Sequence, residues 1–420
     1  MNYKAYIKYS ACCFIVILLT VAAINYVVDP YGMFGTKDIK GLNIIKPNAG
    51  DRGRIVKLHQ IERYKPDILI AGNSRPEMGL DPTSGCWGQG GDSIYNMSIP
   101  GIGVYMLTRY LQHVLATQDI KHIYVGVDFI DFLVTDDAPV NYGQWPAAAM
   151  DFESRLIVDK DGRQNRYYTW VKYVDMLKAL FSLQGLKDSV ETVLVQNEIN
   201  SGNRRMDGFN PARDYLDIIA SEGQEVLFVQ KNKVIIKQLS NSKANIFQDA
   251  RKWSVHFESI KRLLFLAKSL NIKVTLFINP YHAEYLAAIN LMGKWEMLEM
   301  WKRELVNISH NIQGVTLWDF NAFNLTTTER ISEVNKGNKK ALSWFWEPAH
   351  YKKELGEVML SEMLSNDCLK SEKMNLGRKV NNGNIDAHLY KLNSDLQTYI
   401  LSSKDVTNKL GSIINEFEKK

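Results

Sequence analysis

Ile68-Leu69-Ile70-Ala71-Gly72-Asn73-Ser74-Arg75 is the stretch that decides the fold. Its first four residues are apolar, and small and polar residues around one serine follow them directly. A short apolar run bounded by turn residues is typical of a parallel strand that is covered on both faces. Because α/β proteins bind ligands at the carboxyl ends of such strands, Ser74 is expected at the edge of a sheet where chemistry takes place.

Strand and helix patterns alternate through most of the chain. Strands are predicted at 68–71, 93–98, 121–129, 272–279 and 315–320. Helices are predicted at 51–64, 104–116, 249–270, 283–310 and 355–364. Strands that alternate with helices favour a parallel sheet with right-handed crossovers, so the predicted fold class is α/β.

The same patterns divide the chain into four parts. They are an anchor at 1–28, a stem and leading helix at 29–65, an α/β domain at 66–366 with a helical insertion at about 130–247, and a polar, partly helical tail at 367–420. The insertion follows the third strand, beside the edge where loops commonly shape a site. The tail is expected to be either a docking helix or a partner-binding extension.

Composition excludes several classes of protein. The chain has 420 residues and is 45% hydrophobic, which suffices for a large core and argues against disorder. Its 51 basic and 46 acidic residues are spread along the chain, so no basic stripe indicates nucleic-acid binding. No metal-ligand spacing is present, and we expect neither a metal nor another cofactor.

Tyr9 to Val28 is a run of twenty residues without a charge, long enough to span a hydrocarbon core. Lys4 and Lys8 precede it, and the pattern predicts an uncleaved transmembrane helix. A cleaved signal peptide is the alternative, although its apolar region is normally shorter and Val21-Ala22-Ala23 is a poor cleavage site. The flanking lysines favour a cytoplasmic amino terminus and place the rest of the chain outside, as a single-pass inner-membrane protein with a periplasmic domain.

Four cysteines fall into two pairs. Cys12 and Cys13 lie in the apolar segment and are expected to behave as small apolar residues in lipid. Cys86 follows the first strand and Cys368 ends a late helix, so both could lie at the bottom of the sheet. The sequence leaves open a disulfide in an oxidising compartment and two buried thiols.

Three polar turns should converge at the carboxyl edge of the sheet, and they carry Ser74, Gly101 and His350. A serine hydroxyl becomes an effective nucleophile when a neutral histidine takes its proton. Glu347 lies three residues before His350 and could orient the imidazole and stabilise its charged form. The backbone N–H groups of Ser74 and Gly101 would then form an oxyanion hole.

These residues resemble the motifs of the SGNH/GDSL hydrolase superfamily. Gly72-Asn73-Ser74-Arg75 is similar to its Gly-x-Ser block, the turn at 96–101 to its glycine block, and Glu347-Pro348-Ala349-His350 to its Asp-x-x-His block. The most similar subgroup is the membrane-anchored, exopolysaccharide-associated SGNH-like proteins, related to alginate O-acetylation proteins and the D-alanine transfer protein of teichoic acids. The resemblance implies a flavodoxin-like, three-layer parallel sheet outside the membrane.

Two positions depart from the family's pattern. Glu347 stands where the family has an aspartate. Asp128 stands in the third block, which in the family supplies an asparagine to the oxyanion hole, and an ionised carboxylate cannot donate a hydrogen bond. Asn73 and Asn279 are the candidate replacements for that donor.

Each candidate also has a structural interpretation. Ser74 could be a turn or N-cap residue, and His350 and Glu347 could serve the last helix. Further candidates for substrate binding are Arg75, Asn279, His282 and Trp346. For Arg75 an ion pair is the competing role, and for Trp346 it is packing around the turn.

The sequence therefore predicts a membrane-anchored, extracytoplasmic SGNH-type serine O-acyltransferase or acylesterase. Its expected substrates are acyl groups, above all acetyl groups, on a surface or exported polysaccharide. Its expected partner is a membrane-bound acyl-donor protein. The alternative is a catalytically weak or inactive SGNH-fold scaffold in a polysaccharide biosynthesis or export complex, which Asp128 favours.

Overall fold

A computed structural model describes the chain at residues 3–88, 90–135, 151–198, 200–201, 204–250, 252–310, 312–331, 339–366, 368–369 and 374–418. The chain forms two compact units, one from residues 1–65 and 146–214 and the other from residues 66–145 and 215–420. The segment predicted as an insertion, about 130–247, is thus divided between the two units. Its residues 136–150 lie outside the described residues.

The strands and helices are as follows. The strands are β1 Ile68–Ala71, β2 Ile94–Asn96, β3 His122–Val127, β4 Lys273–Ile278, β5 Val315–Asp319, β6 Phe345–Glu347, β7 His350–Tyr351 and β8 Arg378–Val380. The helices are α1 Tyr3–Val28, α2 Gly53–Tyr64, α3 Ser74–Gly79, α4 Val104–Leu115, α5 Tyr168–Leu180, α6 Leu183–Leu194, α7 Asp214–Glu222, α8 Gln224–Leu239, α9 Val255–Ser269, α10 Ala283–Leu291, α11 Trp295–His310, α12 Lys353–Leu364, α13 Ile385–Ser402 and α14 Lys404–Glu418.

The second unit is built on a six-stranded sheet with the order β2-β1-β3-β4-β5-β8. The first five strands run parallel, and β8 is antiparallel to β5. Leu69, Ile123 and Leu276 on the central strands are fully buried, as expected for strands that are covered on both faces. The prediction of an α/β fold with a mostly parallel sheet is confirmed.

The predicted boundary at residue 366 differs from the structure. Residues 378–380 of the segment predicted as a tail form β8 and close one edge of the sheet against β5. The helices α13 and α14 belong to the same unit, and their apolar side chains Leu389, Leu396 and Leu410 are buried. The tail therefore contributes to the α/β unit. A three-residue edge strand carries too short a pattern to be recognised in a polar segment.

One further prediction needs correction. The helix predicted over 283–310 is two helices, α10 and α11, which are separated by Gly293 at φ +67°. A positive φ is typical of the glycine that ends a helix, and it stops α10 one turn before α11 begins.

Among the described residues, α1 is the helix that is long and apolar enough to cross a membrane, with a mean hydropathy of 2.5. The end of α1 packs in the first unit against α5 and α6, where Val21, Ala22, Asn25 and Val28 are buried. The predicted membrane-spanning length and composition are confirmed.

Cys86 and Cys368 form a disulfide with Cα atoms 4.9 Å apart, which settles the alternative that the sequence left open. Cys86 lies in a buried apolar cluster with Ile70, Tyr124 and Met359, next to the sheet. The disulfide closes a loop across 282 residues of sequence.

We expect loss of this disulfide to destabilise the second unit. Replacing both Cys86 and Cys368 by alanine should lower the free energy of unfolding by about 2–4 kcal/mol, because the cross-link restricts the unfolded chain. Denaturant unfolding measures the difference. The control adds reductant to both proteins. Reductant should lower the stability of the unaltered chain and leave that of the double variant unchanged, and equal stability of the two proteins without reductant would contradict the prediction.

Candidate active site

The turn that carries Ser74 depends on a glycine and an asparagine. Gly72 has φ +152°, and a Cβ there would lie 2.6 Å from Pro76 Cγ, so a larger residue would clash. Asn73 is the N-cap of α3, and its Oδ1 accepts a hydrogen bond from the N–H of Arg75 at 3.0 Å. Ser74 is therefore the first residue of a capped helix, at the carboxyl end of β1, and is partly exposed.

Helix α3 is held tightly in place. A Cβ on Gly79 would lie 1.8 Å from the ring of Tyr351, so only glycine allows this close approach of α3 to β7. Asn96, at the end of β2, is fully buried and donates from Nδ2 to the carbonyls of Pro76 and Leu80 at 2.8 and 2.9 Å. These contacts fix the short helix that begins with Ser74.

Ser74, His350 and Glu347 form a continuous hydrogen-bonded chain. Ser74 Oγ lies 2.6 Å from His350 Nε2, and His350 Nδ1 is bonded to Glu347 Oε1. The second carboxylate oxygen, Glu347 Oε2, accepts from the N–H of Ala349 at 2.6 Å. Glu347 ends β6 and His350 begins β7, so the tight turn between these antiparallel strands sets their relative position. The three predicted catalytic residues are thus brought together.

The electrostatics favour a neutral imidazole beside an ionised carboxylate. Burial lowers the pKa of His350 below its ordinary value of 6.5, against the opposing effect of Glu347. Burial alone would raise the pKa of Glu347, but His350, Lys231 and the N–H of Ala349 outweigh it and hold that pKa at about 2. Since the carboxylate cannot donate, His350 Nδ1 carries the proton and Nε2 accepts from the hydroxyl of Ser74. This is the tautomer that a general base requires.

We expect the reactivity of Ser74 to rise with pH through a midpoint below 6.5 and to be level from about pH 7 to 8. The reason is that His350 must be neutral to accept the proton of Ser74, and its pKa is lowered in the folded chain. The rate of Ser74 acylation by an activated ester, measured against pH with the His350→Ala variant as blank, gives the midpoint. A midpoint above 6.5 would mean that another group supplies the base.

Asp128, the residue that departs from the family pattern, organises the region behind Ser74. It is fully buried. Its Oδ2 pairs with Arg75 Nη1 at 2.9 Å and accepts from Asn73 Nδ2 at 2.6 Å and from Asn279 Nδ2 at 2.9 Å. Both asparagines proposed as replacement oxyanion donors therefore direct their amide hydrogens at Asp128. Among the described residues, Asp128 Oδ1 has no hydrogen-bond partner.

Asp131 adds a second carboxylate to this region. It accepts from Asn73 Nδ2 at 2.9 Å. Burial and the neighbouring Asp128 raise the pKa of Asp131 to about 7, against the opposing effects of Arg75 and Asn73. A group that titrates near neutral pH thus contacts Asn73, the residue next to Ser74. It follows Asp128 by three residues in the chain, a spacing that could have indicated it.

Arg75 connects α3, the helix that begins with Ser74, to the β6–β7 hairpin that carries His350. Besides its ion pair with Asp128, it donates from Nε to the carbonyl of Ala349 at 2.9 Å and from Nη2 to Tyr285 Oη at 3.3 Å. Its guanidinium also lies over the ring of Tyr281, 5.3 Å from the centroid. The competing prediction of an ion pair is confirmed, and a role in binding substrate stays a prediction.

The other candidates for substrate binding are occupied by contacts within the protein. Asn279 Oδ1 accepts from Tyr351 Oη at 3.1 Å, and its amide is held by Asp128. His282 is the N-cap of α10, with Nδ1 accepting from the N–H of Glu284 at 3.3 Å and Nε2 bonded to the carbonyl of Glu329 at 2.8 Å. Burial lowers the pKa of His282, so its imidazole is neutral. Its hydrogen bonds hold the start of α10 next to Glu329.

Trp346 is 6% exposed and lies between the ring of Tyr215, at 5.4 Å, and the ammonium of Lys352, at 4.9 Å. Packing around the turn is therefore its observed role, and stacking on a sugar would require Tyr215 to move.

Gly101 has φ +63° and is exposed in the turn after β2. That turn contacts the turn that carries Ser74, because the N–H of Ile99 donates a hydrogen bond to the carbonyl of Gly72 at 2.9 Å. The oxyanion roles of Ser74 and Gly101 stay predictions.

Two residues that support the site were not predicted, and both lie on α8. Lys231 Nζ is 3.3 Å from Glu347 Oε1 and stabilises the carboxylate. Gln224 donates from Nε2 to the carbonyls of Phe345 and Trp346, each at 2.9 Å, which holds β6 from behind. Nothing in the local sequence of α8 indicates either role, because the contacts join residues more than 110 positions apart.

No group of histidine, cysteine, aspartate or glutamate side chains within the described part of the chain is arranged to hold a metal ion. Comparisons of the chain with protein-family models, curated proteins and solved structures find no match. The assignment of function therefore depends on the geometry of the site and on the sequence motifs.

Proposed function

We propose that this protein is a membrane-anchored serine enzyme of the SGNH type that transfers or removes acyl groups. The observation that carries the proposal is the hydrogen-bonded chain from Ser74 Oγ through His350 to Glu347, with Ser74 and His350 2.6 Å apart. Ser74 lies at the carboxyl end of a parallel strand and is partly exposed, where a substrate carbonyl can reach it.

In the proposed reaction Ser74 Oγ attacks the carbonyl carbon of an ester while His350 Nε2 takes the hydroxyl proton. The tetrahedral intermediate then expels the alcohol, which receives that proton from His350, and the acyl group stays on Ser74. A second hydroxyl, from water or from a sugar, gives its proton to His350 and attacks the acyl-enzyme. Glu347 stabilises the imidazolium in both steps.

The fold and the location have separate support. The order 2-1-3-4-5 of the parallel strands is the order of flavodoxin-like doubly wound sheets. The disulfide between Cys86 and Cys368 is of a kind that persists in oxidising compartments, which supports an extracytoplasmic domain. With the anchor α1 in the inner membrane, the proposed substrates are acetylated surface or exported polysaccharides, with a membrane-bound protein as acyl donor.

One observation favours a second candidate, an inactive scaffold in a polysaccharide export complex. The side-chain amides of Asn73 and Asn279 both donate to Asp128, so neither is directed at an oxyanion. In this candidate the catalytic residues are retained, but the backbone N–H groups alone do not stabilise the intermediate well enough for turnover.

Labelling with an activated ester separates the two candidates. The purified full chain is incubated with p-nitrophenyl acetate, and acetylated peptides are located by mass spectrometry. Acetyl on Ser74, absent from Ser74→Ala and unchanged in Ser84→Ala, supports the enzyme. Ser84 is a matched control because it is likewise a partly exposed serine at the start of a helical turn, where its Oγ accepts from the N–H of Cys86, outside the site. The labelling is repeated from pH 6 to 9, a range of about 3 units that includes the ordinary histidine pKa. Absence of acetyl on Ser74 at every pH supports the scaffold.

A chase distinguishes transfer from hydrolysis. The acetyl-enzyme is separated from excess ester and divided between buffer and buffer with a soluble oligosaccharide. Transfer predicts faster loss of acetyl from Ser74 in the presence of the oligosaccharide and acetyl on the sugar. Hydrolysis predicts equal rates and free acetate in both.

A further inference from the structure

We infer that an exposed apolar surface on α5 and α6 in the first unit lies in the headgroup region of the bilayer that α1 enters. We name this surface the aromatic face. Its residues are Trp170, Tyr173, Leu177, Phe181, Leu183, Val190 and Leu194. The inference rests on the proposed membrane anchor and is independent of the chemistry at Ser74.

The residues of the aromatic face follow helical spacing and are open to solvent. Trp170 is 69% exposed, Tyr173 60% and Leu177 52%, on successive turns of α5. On α6, Leu183 and Leu194 are 73% and 74% exposed. On each of the two helices these exposed apolar side chains recur on one side, and clustered exposed apolar surface marks an interaction site.

The opposite side of α5 carries Lys172 and Asp175, whose side chains contact other residues of the first unit. Lys172 and Tyr168 both contact Glu62 of α2. Asp175 is buried and pairs with Arg155, whose Nε lies 2.6 Å from Asp175 Oδ2. A helix that directs its ion pairs inward and its tryptophan outward has the polarity expected where the outer surroundings are apolar.

The aromatic face lies next to the point where α1 leaves its apolar segment. Asn25, near the end of α1, donates from Nδ2 to the carbonyls of Leu180 and Ser182 at 2.9 and 3.0 Å, and its Oδ1 accepts from Ser189 Oγ at 3.1 Å. The junction of α5 and α6 is thereby fixed to the last turns of α1. If α1 spans a bilayer with Tyr9 to Val28, this junction lies at the membrane boundary.

The chemistry of the face fits a lipid interface. Tryptophan and tyrosine are enriched at the level of the headgroups, where an apolar ring and a polar N–H or O–H both find partners. Lys178 and Lys187 are exposed on the same two helices, where their ammonium groups can reach lipid phosphates. We therefore favour the bilayer over a second copy of the chain as the occupant of the aromatic face.

Fluorescence quenching in nanodiscs tests this placement. The full chain, with Cys12→Ser and Cys13→Ser, receives one further cysteine labelled with an environment-sensitive fluorophore. Four variants are compared, with Tyr173→Cys and Leu177→Cys on the aromatic face, Val16→Cys in α1 and Lys261→Cys as the control. Lys261 is an exposed position on α9, in the other unit. Nitroxide groups on the lipids near the headgroup or deep in the acyl chains quench labels at those depths, and aqueous iodide quenches labels in water.

We expect labels at 173 and 177 to be quenched by headgroup-level nitroxides and protected from iodide by at least about threefold relative to the label at 261. A label at 16 should be quenched by nitroxides deep in the acyl chains. Iodide quenching at 173 and 177 equal to that at 261, with deep quenching at 16, would overturn the inference and leave the anchor intact. Protection from iodide without lipid quenching would also overturn it, in favour of a second copy of the chain.

A second test replaces three apolar residues of the aromatic face by polar ones and places the label on a neighbouring residue outside the face. Trp170→Gln, Tyr173→Gln and Leu177→Gln are combined with a label at Lys178→Cys. Because the three side chains are exposed, the fold should be retained, as judged by an unchanged circular dichroism spectrum. We expect headgroup-level quenching of the label at 178 with the native face and its loss with the polar face. Equal quenching with both faces would contradict the inference.

Discussion

Ser74→Ala and His350→Ala are each expected to reduce the rate of p-nitrophenyl acetate turnover by at least about 10⁴-fold. Without Ser74 Oγ no acyl-enzyme can form, and without His350 Nε2, which lies 2.6 Å from that oxygen, nothing within reach takes the proton. The measurement is the steady-state rate together with the burst of p-nitrophenol. The double variant should be no slower than either single variant, because the two residues act as one unit.

The matched control for this prediction is Ser84→Ala, which should retain the full rate. A Ser74→Ala variant that keeps more than about a tenth of the rate would show that ester turnover takes place elsewhere, since even a partly disabled triad loses far more than that. Equal thermal unfolding midpoints for the variants and the unaltered chain would exclude misfolding as the cause. His350→Ala is the less conservative of the two changes because it also releases Glu347 from its hydrogen bond.

Those features of the site that depend on short, local stretches of sequence could be predicted. An apolar run followed by Gly-Asn-Ser specifies a strand, a sharp turn and the position of Ser74, and the structure has all three. Glu347 and His350 are separated by a proline turn, so their proximity is also a local property. Ser74 and His350 are 276 residues apart, and their juxtaposition was expected because the turn before the last helix should reach the carboxyl edge of the sheet. In the structure that turn joins the antiparallel strands β6 and β7, which form a sheet of their own.

The parts that depend on distant contacts could not be predicted. Lys231 approaches Glu347 from a helix whose sequence shows no sign of this role. The strand β8 pairs three residues of a polar segment with β5. Asp128 was interpreted at the sequence level only as a missing oxyanion donor, because its partners Arg75, Asn73 and Asn279 come from two other strand ends. Burial and pairing of a charge are tertiary properties, and a single sequence does not record them.

The geometry changes the interpretation of Asp128 from a missing donor to a positioning residue. It holds Asn73, which caps the helix that begins with Ser74, and it neutralises Arg75, which contacts the carbonyl next to His350. A carboxylate is suited to this position because all three of its partners are donors. An asparagine at 128 could accept through one oxygen but would remove the ion pair of Arg75, whose side chain is 11% exposed. Asp131, whose pKa is raised to about 7, would then be the carboxylate that acts on this cation.

We therefore expect Asp128→Asn to lower both stability and turnover. Removing one partner of a buried ion pair costs about 3–5 kcal/mol, which denaturant unfolding should detect. At a temperature where the variant is folded, kcat should fall by about 10–100-fold with little change in KM, since a small displacement of Ser74 relative to His350 weakens proton transfer more than substrate binding. The pH midpoint of turnover should stay below 6.5, because Asp128 does not contact the imidazole.

Asp319→Asn is the control that separates stability from positioning. Asp319 forms a buried pair with Lys302, at 2.7 Å and with side chains 0% and 1% exposed, and its Oδ2 also lies 2.8 Å from His388 Nε2. Neither partner is one of the three predicted catalytic residues. The Asp319→Asn variant should lose similar stability and keep its kcat. The opposite result for Asp128→Asn, a rise in kcat, would mean that the new amide donates to the oxyanion and that the carboxylate had limited catalysis. Asp128→Asn thus decides whether Asp128 supports or suppresses the proposed catalytic role of Ser74, and the hydrogen bonds from Asn73 and Asn279 favour support.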